Sequence, residues 1–131
     1  MAYVSQDDKK AVAAKINPIL KAFGLKGTLS INHHSKLVLT IRSGKIDFIG
    51  NCNETNAHKE YFNPVKENME INEFWYKEHF TGIALEALNN IVPAMYTDDW
   101  YDNSQIECDF FDISYYVSVK VGTWDKPYIL K

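Results

Sequence analysis

Residues 26–43 read KGTLSINHHSKLVLTIRS, and this stretch decides the fold. Apolar side chains occupy every second position on both sides of the pair His33-His34: Leu29, Ile31, Leu37, Leu39 and Ile41. A period of two predicts half-buried strands at Lys26–Asn32 and Lys36–Ser43. Because the link between these strands is too short for a parallel crossover, we expect an antiparallel hairpin with the two histidines in its tight connection.

A helix is predicted before the hairpin. Ser5 is a favourable N-cap, and it is followed by an apolar stripe at helical spacing, formed by Val12, Ile16, Ile19, Leu20 and Phe23. Pro18 removes one backbone hydrogen bond, so we expect a kink there or a restart of the helix near Asn17. Gly24 suits the position that follows the last helical residue.

The rest of the chain adds a second helical region and shorter strands. This helical region begins at Asn72, is divided at Thr81-Gly82 and ends near Pro93. Residues 51–63 are expected to form a loop, and strands are predicted at 46–49, 69–71, 106–111 and 115–121. The predicted fold is α+β, a single domain over residues 1–131. It has a small, mainly antiparallel sheet and two principal helices, in the order α-β-β-(β)-α-(β)-β.

The composition is that of one folded domain. The 131 residues carry a formal charge of −3 and are 46% hydrophobic and 24% charged, so wholesale disorder is not expected. No apolar run is long enough to span a membrane, and the first residues do not resemble a secretory signal. Two cysteines, Cys52 and Cys108, are too few for a disulfide scaffold. We therefore expect a cytoplasmic protein without a membrane partner.

Sequence motifs for catalysis and for metal binding are missing. The chain has no P-loop, no G-x-S-x-G and no H-E-x-x-H motif, and the spacing of its histidines and cysteines matches no standard zinc site. Cys52 and His58, both in the predicted loop, form the one pair that could support a small enzyme or ligand binder. Otherwise we expect no catalytic residue, no metal and no cofactor.

Charge is divided unevenly along the chain, with a net charge of +5 over residues 1–50 and −8 over residues 51–131. The basic first half suggests a nucleic-acid-binding alternative, in which the first helix and the hairpin contact phosphates through Lys9, Lys10, His33, His34, Lys36, Arg42 and Lys45. Thirteen of the 14 bases are lysine, whereas base-specific recognition favours arginine. Such binding would therefore be only weakly selective.

Protein binding is the leading interpretation. The chain has 18 aromatic residues, more than one small core is expected to hold, and exposed tyrosine and tryptophan are favoured interface anchors. Six acids and no base lie within residues 98–112, so the aromatic residues near them could meet a basic partner. The candidate protein-binding residues are Asp98, Asp99, Trp100, Tyr101, Asp102, Trp124 and Tyr128. A homodimer is also plausible, because a small sheet has free edges that can pair.

Four segments resemble small proteins of bacteriophages and mobile elements in the large polyvalent protein-associated domain group: 27–51, 79–82, 109–112 and 122–128. The resemblance implies an accessory role, and it brings no established activity and no catalytic residues. Small proteins in that setting often inhibit host defence by binding a defence protein, as anti-CRISPR proteins do. The resemblance therefore implies a non-enzymatic modulator that binds a host protein in the bacterial cytoplasm.

Overall fold

The computed structural model describes residues 2–57, 67–102 and 113–131. Within these ranges the chain forms four helices and five strands, and the α+β class predicted from the sequence is confirmed. The elements follow in the order α1 (Gln6–Ala22), β1 (Leu25–Asn32), β2 (Lys36–Gly44), α2 (Phe48–Asn56), β3 (Met69–Ile71), α3 (Tyr76–His79), α4 (Gly82–Ala94), β4 (Tyr116–Val121) and β5 (Ile129–Leu130).

The strands form one sheet in the order β1-β2-β4-β3, with β5 beside the end of β2. β1 and β2 form the predicted antiparallel hairpin, and β3 pairs antiparallel with β4. β2 pairs in parallel with both β4 and β5, so the sheet is mixed rather than mainly antiparallel. Parallel pairing of β2 with β4 is possible because a long connection that includes α4 separates the two strands.

Helix α1 begins with a capping box. The Ser5 hydroxyl accepts a hydrogen bond from the Asp8 N–H, and the Asp8 carboxylate accepts one from the Ser5 N–H, both at 3.0 Å. The helix runs from Gln6 to Ala22 without the predicted restart near Asn17. Pro18 and Ala14 both lie on the exposed side, where water can bond the carbonyl that the proline leaves without a donor.

One face of the sheet is covered by α1 and α4 and holds the core. Three residues of β2 lie in register with three of β4, and all six are buried beneath the helices: Leu37, Leu39, Ile41, Val117, Val119 and Val121. The opposite face carries Val38 among mostly polar side chains at the alternate positions: Thr28, Ser30, Thr40, Ser118 and Lys120. The two faces of the sheet therefore differ in chemistry, and α1 and α4 cover the apolar one.

Two predictions between β2 and β3 are wrong. Residues 46–49 do not form a strand, because Asp47 caps α2 by accepting a 2.8 Å hydrogen bond from the Gly50 N–H. Residues 51–56, predicted as loop, belong to the same helix. The loop residues 58–63 and the predicted strand at 106–111 lie outside the described residues.

The second helical region is divided as predicted, but it begins at Tyr76 and not directly after Asn72. The Asn72 Oδ1 accepts hydrogen bonds from the backbone N–H groups of Phe74 (2.9 Å) and Trp75 (3.1 Å), and α3 begins after this turn. The region then divides into α3 and α4 at Thr81-Gly82, as predicted. Pro93 lies in the last turn of α4, where the N–H of Met95 bonds the carbonyl of Val92 three residues back.

Candidate binding site

Tyr115 organises the segment between α4 and β4. Its side chain is fully buried, and its hydroxyl donates a 2.7 Å hydrogen bond to the carbonyl of Met95, just after α4. The same oxygen accepts a 2.9 Å hydrogen bond from the Thr97 N–H. Tyr115 therefore fixes the path by which the chain leaves the helix.

Trp100 packs onto this anchor. Its indole N–H donates a 2.8 Å hydrogen bond to the backbone carbonyl of Tyr115, and its ring meets the Tyr115 ring edge to face at 6.5 Å and 80°. The Tyr96 ring meets the Trp100 ring at 4.6 Å and 75°. The Trp100 N–H and the Tyr115 hydroxyl are thus both bonded within the protein, and both rings are half-buried or buried.

The Tyr96 and Trp100 rings, backed by the buried Tyr115 ring, form the floor of a cavity of about 210 Å³, which we call the acidic aromatic pocket. The described residues that line it are Glu73, Phe74, Tyr96, Trp100, Asp102, Ile113, Tyr115, Tyr116 and Val117. Phe74 and Tyr116 are exposed, at 77% and 47%, and form its rim. Pockets for drug-sized ligands occupy roughly 300–1,000 Å³, so this one suits a single side chain or a small head group.

Carboxylates act on the rings of the pocket. Burial raises the pKa of Tyr96, and the negative charge of Glu73 raises it further. Burial also raises the pKa of Tyr115, a shift that the hydrogen bond from Thr97 opposes and that the charges of Asp8 and Asp99 support. The described lining of the pocket therefore combines aromatic surface with two carboxylates, those of Glu73 and Asp102.

A second groove adjoins the pocket and shares Glu73, Tyr116 and Val117 with it. Its other described residues come from the hairpin turn and β3: Asn32, His33, Ser35, Lys36 and Glu70. The turn is strained, because His33 and His34 both have φ of +52°, a region that residues other than glycine rarely adopt. Backbone hydrogen bonds of 2.8 Å hold it, from Val4 to the carbonyl of His34 and from Tyr116 to that of Ser35.

The residues predicted to bind protein are only partly brought together. Trp100 and Asp102 line the pocket, Asp102 forms a β-bridge with Ile113, and Tyr101 is exposed beside them. Asp98 and Asp99 are exposed in the turn between α4 and Trp100. The predicted surface around residues 98–102 thus contains a formed cavity.

Trp124 and Tyr128 lie elsewhere. Trp124 is 87% exposed and lines a different groove, with Lys120 and Asp125. Tyr128 packs against Phe48, with ring centroids 6.0 Å apart, and its hydroxyl donates a 2.6 Å hydrogen bond to the carbonyl of Ile46. Of these two predicted binding residues, therefore, Tyr128 packs onto the domain and Trp124 projects from it.

Sequence reasoning missed the rim and part of the floor: Glu73, Phe74, Tyr96, Tyr115 and Tyr116. The sequence pattern places Glu73 and Phe74 in the second helical region. Asn72 is the residue that could have shown this, because an asparagine side chain often accepts hydrogen bonds from the backbone two and three residues on and so forms a turn. Here it bonds the N–H groups of Phe74 and Trp75, so the helix begins later and Phe74 lies outside it. No sequence signal places Tyr96 against Trp100.

The nucleic-acid alternative assigned seven residues to one surface, and the structure places them on α1, on β2, directly after β2 and in the hairpin turn. Lys9 and Lys10 lie on α1, and His33 and His34 lie in the hairpin turn. Lys36 and Arg42 lie near opposite ends of β2, about 20 Å apart at roughly 3.3 Å per residue, and Lys45 follows the strand. One of these bases, Arg42, lies near enough to the acid Asp125 to act on its charge. The pKa of Asp125 is lowered by a hydrogen bond from Thr123 and, less strongly, by the charges of Lys126 and Arg42.

The proposed Cys52 and His58 pair is not available as a loop site. Cys52 lies in α2 and is buried, with the Asn56 Nδ2 3.7 Å from its Sγ, so its predicted place in an open loop is wrong. His58 and Cys108 lie outside the described residues. Across the described ranges, no three His, Cys, Asp or Glu residues are arranged to hold a metal ion.

Comparisons with family models, with curated proteins and with solved structures give no match for this chain. In the described part of the chain, none of the helices has the length and apolar character needed to cross a membrane. The case for a function therefore depends on the chemistry of the acidic aromatic pocket.

Proposed function

We propose that this protein acts by binding, and that it recognises a basic surface of a partner protein through the acidic aromatic pocket. The observation that carries the proposal is a cavity whose floor is aromatic, whose Trp100 and Tyr115 polar atoms are bonded internally, and whose lining includes Glu73 and Asp102. Ring faces attract cations, and carboxylates add to that attraction. Such a cavity favours a positively charged side chain.

The lining of the pocket favours binding over nucleophilic catalysis. Its described residues include no serine, threonine, cysteine, histidine or lysine, so they supply no pair of nucleophile and imidazole or amine base. The exposed Asp98 and Asp99 beside the pocket extend the negative surface. Exposed acids of this kind speed the approach of a basic partner more than they tighten the complex.

The sequence resemblance gives the proposal its setting. An accessory protein of a bacteriophage or mobile element would act in the host cytoplasm, and a host defence protein would be its partner. The basic grooves by which such proteins hold nucleic acid offer lysine and arginine side chains, which match the charge of the pocket. Inhibition would then follow from occupying that groove.

A charge-matched pair of double variants tests the proposal. Glu73→Gln with Phe74→Ala removes one acid and one exposed ring from the pocket, and Glu86→Gln with Trp124→Ala removes the same groups from elsewhere. The probe is a fluorescent Gly/Ser peptide that carries two lysines and two arginines, measured by anisotropy.

We expect the pocket variant to weaken peptide binding by at least about tenfold and the control variant to change it by less than twofold. A peptide with glutamates in place of the basic residues should not bind. Equal weakening by both variants, or an unchanged affinity of the pocket variant, would refute the proposed surface.

A further inference from the structure

The rings of the acidic aromatic pocket meet at nearly right angles. The half-buried rings of Tyr96 and Trp100 are inclined by 75° and form the corner, and the fully buried Tyr115 ring packs against Trp100 at 80°. A guanidinium group is planar and binds aromatic residues by stacking flat on one ring face. An ammonium group is compact and nearly spherical, so it can touch two rings of a corner at once. The corner geometry therefore discriminates between the two basic side chains.

The size and the apolar lining of the pocket also favour lysine over arginine. A volume of about 210 Å³ corresponds to roughly seven water molecules at about 30 Å³ each, enough for the end of one side chain. Ile113 and Val117 line the pocket beside the rings and can contact an aliphatic stem. The lysine side chain has such an aliphatic stem, with a single charged group at its end.

Methylation of the ammonium would improve the fit. An unmodified ammonium is strongly hydrated, and its transfer onto aromatic surface costs part of that hydration. Methyl groups spread the charge, weaken hydration and contact the rings directly, which is why quaternary ammonium groups suit aromatic cages. Glu73 supplies the negative charge for either form.

We infer that the acidic aromatic pocket binds the ammonium group of a lysine side chain in preference to arginine, and that it binds N-methylated lysine most tightly. This inference rests on the proposed function and specifies its ligand. The contacts that carry it are the ring corner of Tyr96 and Trp100, the rim residue Phe74 and the carboxylate of Glu73.

Four peptides that differ at one central residue test the inference. The residue is lysine, trimethyllysine, arginine or norleucine, which has a stem like that of lysine without its charge. Binding is followed by NMR titration of the ¹⁵N-labelled protein, with the indole N–H signal of Trp100 as reporter. We expect affinity to fall from trimethyllysine to lysine to arginine, with trimethyllysine at least about fivefold tighter than arginine. Norleucine should leave the reporter unshifted.

The variants Phe74→Ala and Glu73→Gln should each weaken binding of the trimethyllysine peptide, and the controls Trp124→Ala and Glu86→Gln should not. Because Phe74 and Trp124 are both highly exposed, neither change should unfold the protein. Arginine binding as tightly as lysine, with the reporter shifted, would overturn this inference and leave the proposed function standing. Norleucine binding as tightly as lysine, or no cationic peptide shifting the reporter, would overturn both.

Discussion

The Tyr115 hydroxyl and the Met95 carbonyl, which belong to residues 20 apart in sequence, are joined by a 2.7 Å hydrogen bond. This bond links the end of α4 to the start of β4. The backbone carbonyl of Tyr115 also receives the Trp100 indole N–H, so one buried residue fixes both the path of the chain and the orientation of the pocket floor. The stability of the fold and the shape of the binding site are therefore coupled at Tyr115.

Substitution Tyr115→Phe tests that coupling. It removes the hydroxyl that bonds Met95 and Thr97, and it leaves both backbone groups without their partner. We expect the free energy of unfolding to fall by about 1–3 kcal/mol, measured by urea denaturation, because unpaired buried polar groups lose their solvation. Tyr101→Phe is the control, since Tyr101 is exposed, and it should change stability by less than about 0.5 kcal/mol. Equal effects of the two changes would contradict the role given to Tyr115.

Asn51 joins α2 to the start of α4. Its Oδ1 accepts a 2.9 Å hydrogen bond from the Thr81 N–H, and its Nδ2 donates to the Thr81 hydroxyl at 3.2 Å. Asn51→Ala should lower the free energy of unfolding by about 1 kcal/mol, as loss of a helix cap does. Asn51→Asp keeps the acceptor and adds a negative charge near a helix N-terminus, so it should retain most of that stability. Denaturation of the two variants side by side measures the difference, and an alanine variant as stable as the aspartate variant would refute the capping role.

Tyr128 makes the free energy of unfolding depend on pH in the alkaline range. Burial, assisted by the charge of Asp47, raises the pKa of Tyr128 to about 12, whereas an unfolded tyrosine has a pKa of about 10. The folded state therefore holds the proton more tightly, and the stabilisation is complete below about pH 10 and is lost as pH rises towards 12. We expect the stability advantage of the wild type over Tyr128→Phe to shrink between pH 9 and pH 11 in urea denaturation. An advantage that does not change with pH would contradict this assignment.

Asp98 and Asp99 should govern the rate of partner association. Reversing both to lysine should slow association with a basic peptide at low salt, with little change in the dissociation rate, because exposed charges act on diffusional encounter. Surface plasmon resonance at two salt concentrations measures both rates. The control reverses Glu54 and Glu86, two exposed acids on α2 and α4, with the same change in net charge. If this control slows association as much as the test variant does, net charge alone is responsible.

Local patterns in the sequence predicted the helix and strand segments that can be recognised without distant contacts. The capping pair Ser5 and Asp8, the alternation around His33-His34 and the division at Thr81-Gly82 each appear in the structure where they were expected. The failure at residues 46–49 has a local cause. A short, largely apolar segment before a glycine suits a strand, yet the Asp47 side chain bonds the Gly50 N–H and starts a helix instead.

The pairing of the strands could not be predicted in the same way. An alternation of period two is the same in parallel and antiparallel neighbours, so it does not show that β2 lies beside β4 in parallel. The direction of pairing depends on how the connection through α4 packs against the core. That packing cannot be predicted from any short segment of the sequence.

The amino-acid sequence by itself determined the class of the fold, the cap of α1, the hairpin turn, and the concentration of acids and aromatic rings near residue 100. Only the tertiary structure decided that Phe74, Tyr96, Trp100 and Tyr116 surround one cavity and that Trp124 and Tyr128 do not. The physical reason is that caps and strand alternation arise from contacts within a few residues, whereas the pocket is formed by side chains from distant segments. Their meeting depends on the packing of α4 against the sheet and on the hydrogen bonds of Tyr115.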